Sequence, residues 1–165
     1  MGKLGVYLMI DEKTLDGMMK LDKDGLFETV NELEKTAEKY TIDKLYDGLH
    51  CLLTGVSAST PIEDNKLSEA VVGVHVFDTY DDDYITCIKN DELPEIINEL
   101  ENVDINELEK KFDPKIFKRK KIYPNIWKED KKDELFKELI NEYKGLLSFY
   151  KEAIDKNGQI IFSVF

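Results

Sequence analysis

The stretch I-D-K-L-Y-D-G-L-H-C-L-L-T-G, residues 42 to 55, decides how the rest of this chain is read. Ile42, Leu45, Tyr46, Leu49, Leu52 and Leu53 recur at intervals of three and four, the spacing of one buried helical face. That spacing predicts a helix with Thr41 as its N-cap and Asp43 in a first turn where the helix dipole favours a carboxylate. Thr54 falls in the last turn, and Gly55 supplies the left-handed residue that ends it. His50 follows Tyr46 by four residues, so imidazole and phenol are expected to meet on one edge of the stripe, where a pocket can open.

Upstream, Leu4 to Ile10 is almost wholly apolar and β-rich, as expected of a strand covered on both faces. A short helix capped near Asp11 is predicted to run toward Lys20. Asp24 then caps a longer one with Leu26, Phe27, Val30, Leu33 and Ala37 inward. Downstream, Val56 to Asn65 is rich in Ser, Thr and Pro and reads as a surface loop. Its Ser57 and Ser59 lack the G-x-S-x-G elbow of a hydrolase nucleophile. Ala70 to Phe77, which contains His75, and Tyr84 to Ile88 are predicted strands joined by a solvated hairpin turn.

Asn90 and Asp104 are placed to cap two further helices, and Asp113-Pro114 is a helix-start device with Pro at the first helical position. Leu135, Phe136, Leu139, Ile140, Tyr143, Leu146, Leu147, Tyr150, Ala153 and Ile154 then repeat at three and four, predicting a long helix that Asn157-Gly158 ends. Gln159 to Phe165 closes the chain as a strand. The fold class is α+β: one domain over residues 1–165, with a small mixed sheet of N-terminal, middle and C-terminal strands packed with amphipathic helices.

Composition restricts the function classes. Hydrophobic residues make up 42% and charged residues 35%, and no apolar run is long enough to span a bilayer, so no membrane role is expected. The opening residues read as a strand and not a signal peptide, and the expected location is the cytoplasm. Cys51 and Cys87 lack metal-ligand spacing and are expected to be reduced, packed thiols; neither a metal nor a cofactor is called for.

The net charge of −12 is unevenly spread. Residues 1–60 carry 7 basic and 11 acidic groups, residues 61–113 carry 4 and 16, and residues 114–165 carry 12 and 8. Nucleic acid is a poor partner for such a chain, because phosphate contacts need a basic footprint. A basic protein partner facing the acidic middle is the natural electrostatic complement. The densest acidic cluster is Asp78, Asp81, Asp82 and Asp83, the expected binding face. Its order does not fit a calcium loop. The basic run Lys115, Lys118, Arg119, Lys120 and Lys121 reads as a solvated face or an internal complement to that acidity.

The opening M-G-K-L-G-V-Y-L, the central D-K-L-Y-D-G-L-H-C-L-L-T-G, the F-D-P, the I-Y-P-N-I-W and the closing tyrosine-bearing helix and strand resemble the YfbM-like family, a bacterial group of unknown function. Within its motif D-K-x-W-x-x-(I/L)-H-x-L-L-T-G, the matching residues are Asp43, Lys44, His50, Leu52, Leu53, Thr54 and Gly55. Tyr46 stands where the family has tryptophan, and Val74 to Asp91 is more acidic than the family pattern. The resemblance implies an α+β domain and brings no activity with it.

Two function classes remain. In the first and favoured one, the chain is a binding or regulatory module whose acidic middle holds a basic protein. In the second it is a small hydrolase or transferase with His50 as general acid or base. The candidate pocket residues for that site are Asp43, Tyr46, Asp47, His50, Thr54, Tyr123 and Trp127, with Asp43 or Asp47 tuning the imidazole and Tyr46 and Trp127 shaping the walls. No nucleophile or oxyanion donor presents itself. The sequence leaves the oligomeric state open.

Overall fold

The computed structural model describes residues 2–165. Its strands are β1 (Gly5–Ile10), β2 (Glu38–Asp43), β3 (His75–Val76), β4 (Tyr84–Ile88) and β5 (Gln159–Val164), arranged in one sheet in the order β2-β1-β5-β4-β3. Strand alternation splits the buried side chains cleanly between two faces. Tyr7, Ile160, Phe162, Val164 and Ile88 enter the larger core, while Val6, Leu8, Ile10, Ile161, Ile85 and Cys87 enter the smaller one. Being covered twice is why the central strands β1 and β5 read as nearly continuous apolar runs.

The smaller core is roofed by α1 (Glu12–Met18) and α2 (Lys23–Thr36), which contribute Leu15, Met18, Leu26 and Val30. The larger core holds α3 (Tyr46–Thr54), α4 (Lys66–Val72), α5 (Leu93–Glu101), α6 (Ile105–Lys111), α7 (Pro114–Arg119) and α8 (Lys132–Asp155). Helix α8 buries the expected stripe except for Leu147 and Ile154, which are half-buried, and adds Phe149, which packs 6.2 Å from the Tyr40 ring. Asp11, Asp104 and Asp113 cap as expected through side-chain oxygens on backbone N–H groups. The cap of α2 is Asp22 and not Asp24, and Phe27 lies exposed on its outer side.

The structure corrects three other expectations. The sheet is antiparallel at every pairing and not mixed. Two helices separate β1 from β2 and four separate β4 from β5; an even number of intervening helices makes an odd number of chain reversals, which returns each strand antiparallel. The central helix starts at Tyr46, four residues later than its spacing implies, because Thr41 and Ile42 belong to β2 and Asp43, with φ of 60°, turns the chain. Ile42 is still fully buried, but through strand alternation. Finally, Ala70 to Val72 is the end of α4 and not strand.

That last correction has a specific cause. A helix end leaves carbonyls without partners, and those of α4 are met by side chains from the sheet and α8. Tyr150 donates to the carbonyl of Ala70 at 2.5 Å, Tyr7 to that of Val71 at 2.5 Å, and Thr86 to that of Val72 at 2.6 Å. Gly73 then turns the chain at φ of 90°, with its Cα against the Thr86 side chain, where a Cβ has no room. These tertiary bonds override the strand propensity of A-V-V-G-V-H-V-F.

Candidate functional site

The polar residues of the central stretch converge on the loop that follows it. Asp47, in the first turn of α3 and 6% exposed, accepts the Ser57 hydroxyl at 2.9 Å and the Ala58 N–H at 2.7 Å on one carboxylate oxygen. Its other oxygen accepts the Tyr123 N–H at 2.8 Å. One side chain therefore fixes two separate segments of backbone, and both carry residues that wall an open cleft of about 570 Å³.

Four aromatic rings line that cleft in an arc. Tyr123 and Tyr46 lie 6.0 Å apart, Tyr46 and Phe162 6.2 Å, and Phe162 and Tyr84 6.2 Å, with successive planes inclined by 36°, 65° and 76°. Gly5 makes the close packing of this floor available, since a Cβ there would meet Ile42 at 2.8 Å and the Tyr46 ring at 3.0 Å. Lys3, Ser59 and Pro61 complete the rim. The Lys3 backbone N–H donates to the Tyr123 hydroxyl at 2.9 Å, and its ammonium donates to the carbonyl of Asp82 at 2.5 Å. Burial, followed by the neighbouring Tyr123 and Asp47, pushes the Tyr46 phenol up to about 12, and burial also raises that of Tyr84. Both walls are thus neutral phenols at physiological pH.

Of the residues expected to share a pocket, Tyr46, Asp47 and Tyr123 do so. His50 does not reach it. Its ring is fully buried, with Nδ1 2.8 Å from the carbonyl of Val56 and Nε2 2.7 Å from the Ser68 hydroxyl. A carbonyl only accepts, so Nδ1 carries the proton and Nε2 takes the Ser68 hydrogen. Ser68 in turn accepts the Ile62 N–H at 3.0 Å. Burial lowers the pKa of His50 despite the Val56 bond and the Asp47 charge, so the ring is neutral. The expected meeting of His50 with Tyr46 at a rim is corrected: the imidazole points inward to staple the loop.

Trp127 is likewise a core residue and not a wall of this cleft. Its indole N–H donates to the carbonyl of Ile122 at 2.8 Å, and its ring packs 4.8 Å from Phe117. Thr54 donates to the carbonyl of His50 at 2.7 Å and lines a smaller opening of about 360 Å³ with Lys111 and Lys120. Asp43 is exposed at the end of β2. No group of three or more His, Cys, Asp or Glu residues is placed to hold a metal among the described residues.

The acidic cluster forms the turn between β3 and β4, immediately before Tyr84 of the cleft. It is moored to the start of α2: Lys23 lies 3.6 Å from Asp78 and 5.4 Å from the Tyr80 ring centroid, and Tyr80 donates to Asp24 at 2.8 Å. Asp81 and Asp82 are exposed, and Asp83 is half-buried. Sequence reasoning missed Lys3, Tyr84 and Phe162 as cleft residues. They come from three distant strands or strand ends, and only the sheet order brings them together.

No helix among the described residues is long and apolar enough to cross a membrane. The protein YfbM of Escherichia coli (strain K12) is 30% identical to this chain over 162 residues, covering 98% of this chain and 97% of its own. The crystal structure of YfbM from Escherichia coli, described as a protein of unknown function, superposes with a TM-score of 0.87 at 29% identity, covering 98% of this chain and 99% of that one. The family described as Domain of unknown function (DUF1877) matches residues 1–163, and the chain belongs to it.

Proposed function

We propose that the chain is a cytoplasmic binding module that captures a lysine- or arginine-bearing segment of a basic protein partner. The cleft takes one cationic side chain, and the turn carrying Asp78, Asp81, Asp82 and Asp83 attracts the flanking positive charges. The partly exposed rings of Tyr46, Tyr84 and Tyr123, packed around a buried Phe162, are the observation that carries this reading, since aromatic faces attract cations within roughly 6 Å of a ring centroid. The net charge of −12 adds long-range steering toward a basic partner.

A hydrolase or transferase built on His50 is the weaker reading. A general base must come within hydrogen-bond reach of substrate, and this ring spends both nitrogens on the protein behind the Val56 to Ile62 segment. The test is fluorescence anisotropy with a labelled lysine-rich decapeptide. Binding that weakens steeply with salt and disappears in the variant Asp81→Lys/Asp82→Lys is the expected result. A titration with no binding at low salt overturns the proposal.

A further inference from the structure

The cleft is unusual in what it withholds from a cation. An ordinary lysine ammonium carries three N–H donors, each needing an acceptor once water is removed. The carboxylate lining the cleft belongs to Asp47, and it already takes the Ser57 hydroxyl and the N–H groups of Ala58 and Tyr123. The Ser59 hydroxyl is paired with that of Ser57 at 2.9 Å, and the Tyr123 hydroxyl accepts the Lys3 N–H. What remains toward the opening is chiefly aromatic ring, with Ala58 and Pro61 beside it and the phenol hydroxyls of Tyr46 and Tyr84 as the few polar groups left to meet a cation.

Such a wall suits a cation that has charge but few or no donors. Alkylated ammonium groups meet that description: they are weakly hydrated and interact with ring faces without hydrogen bonds. Resting on the basic-partner reading above, we propose that the cleft selects a di- or trimethylated lysine side chain of that partner over the unmodified one. The Lys3 ammonium is held at the rim on the carbonyl of Asp82, within the acidic turn. A lysine side chain is favoured over a free quaternary amine because the adjoining acidic turn offers attraction only to a ligand with further positive charges.

The experiment is calorimetric titration of the full chain with one lysine-rich decapeptide in two forms, central lysine unmodified or trimethylated, and with choline chloride. The trimethylated peptide should bind about tenfold more tightly than the unmodified one, the scale of a desolvated cation–π contact. Choline should bind more weakly than either. Equal binding of the two peptides overturns the methyl selectivity and leaves the basic-partner reading standing; failure of both peptides overturns both. Choline binding as tightly as the trimethylated peptide overturns the assignment to a lysine side chain. Tyr46→Phe should keep the preference and Tyr46→Leu should abolish it, with circular dichroism verifying the fold of each; a preference surviving in a folded Tyr46→Leu variant rules out the ring as its source.

Discussion

The carboxylate of Asp47 accepts the backbone N–H of Tyr123 at 2.8 Å across 76 residues of sequence. The same side chain holds Ser57 and Ala58, so α3, the loop after it and the segment before Trp127 meet at one buried anion. Replacing it with alanine strands two backbone donors and a hydroxyl. Hydrogen bonds to a charged group contribute about 1.5–3 kcal/mol each in net terms, and relaxation with water entry returns part of that. Asp47→Ala should therefore cost about 3 kcal/mol in urea unfolding. Amide exchange should rise first at Ala58 and Tyr123, the two N–H groups released.

Gly48, beside it, should reject alanine although it sits in a helix. Glycine to alanine normally adds about 1 kcal/mol at such a position. Here a Cβ would lie 2.6 Å from Cη2 and 2.9 Å from Cζ2 of Trp127, and 3.1 Å from Leu139. Overpacking of that kind costs about 1–3 kcal/mol, so the penalty outweighs the propensity gain. Thermal melting of Gly48→Ala should fall below wild type, and near-ultraviolet circular dichroism of the single tryptophan should change with it.

The buried imidazole sets a pH dependence whose sign is fixed. Burial lowers the pKa of His50 in the folded protein, so the unfolded chain binds the proton more readily. Stability from this residue is therefore fully present above the ordinary histidine value of about 6.5 and is lost as pH falls through the depressed folded value. Urea midpoints measured from pH 8 down to pH 5 should drop for wild type. His50→Gln should start lower and show a shallower decline over the same range.

Both thiols should be silent in the folded protein. Cys51 and Cys87 are buried, and burial is the main influence pushing each up to about 11. Thiolate is the reactive form, so an aromatic disulfide reagent at pH 8 should label the native protein far more slowly than the urea-unfolded chain. Two equivalents should react after unfolding.

How much of this was legible in the sequence varied with the strength of the local pattern. Helix α8 was readable because its 24 residues repeat one apolar stripe often enough to outvote any accident. The start of α3 was not, since Ile42 satisfies a helical interval from within β2. An inward strand residue followed by a turn at Asp43 can land in the same phase. Val71 and Val72 looked like strand because nothing local announces that Tyr150, Tyr7 and Thr86 will satisfy the end of a helix. Tyr46, Asp47 and Tyr123 could be marked as candidates from residue type and position. Lys3, Tyr84 and Phe162 could not, because their proximity is a product of strand order. His50 misled for a physical reason: a buried imidazole bonding a carbonyl and a hydroxyl has the same sequence signature as one facing a ligand.

The hydroxyls on α4 offer the last test, and it separates scaffold from cleft. Tyr150 and Tyr7 serve the adjacent carbonyls of Ala70 and Val71, and their rings lie 6.1 Å apart. Each tyrosine to phenylalanine change leaves one buried carbonyl without a partner, a cost of about 1–3 kcal/mol. Because both act on one helix end, the double variant should lose less than the sum of the single losses, by roughly 0.5 kcal/mol or more. Once the first bond is gone, the end of α4 has already begun to relax. Val72 of that same end lines the cleft and the Tyr7 ring stacks 4.6 Å from Phe162, but a tyrosine to phenylalanine change keeps that ring and its stacking in place. Chemical denaturation should show the non-additive loss, while peptide affinity measured well below the transition should stay within about twofold of wild type, less than the 1.4 kcal/mol that a tenfold change would represent.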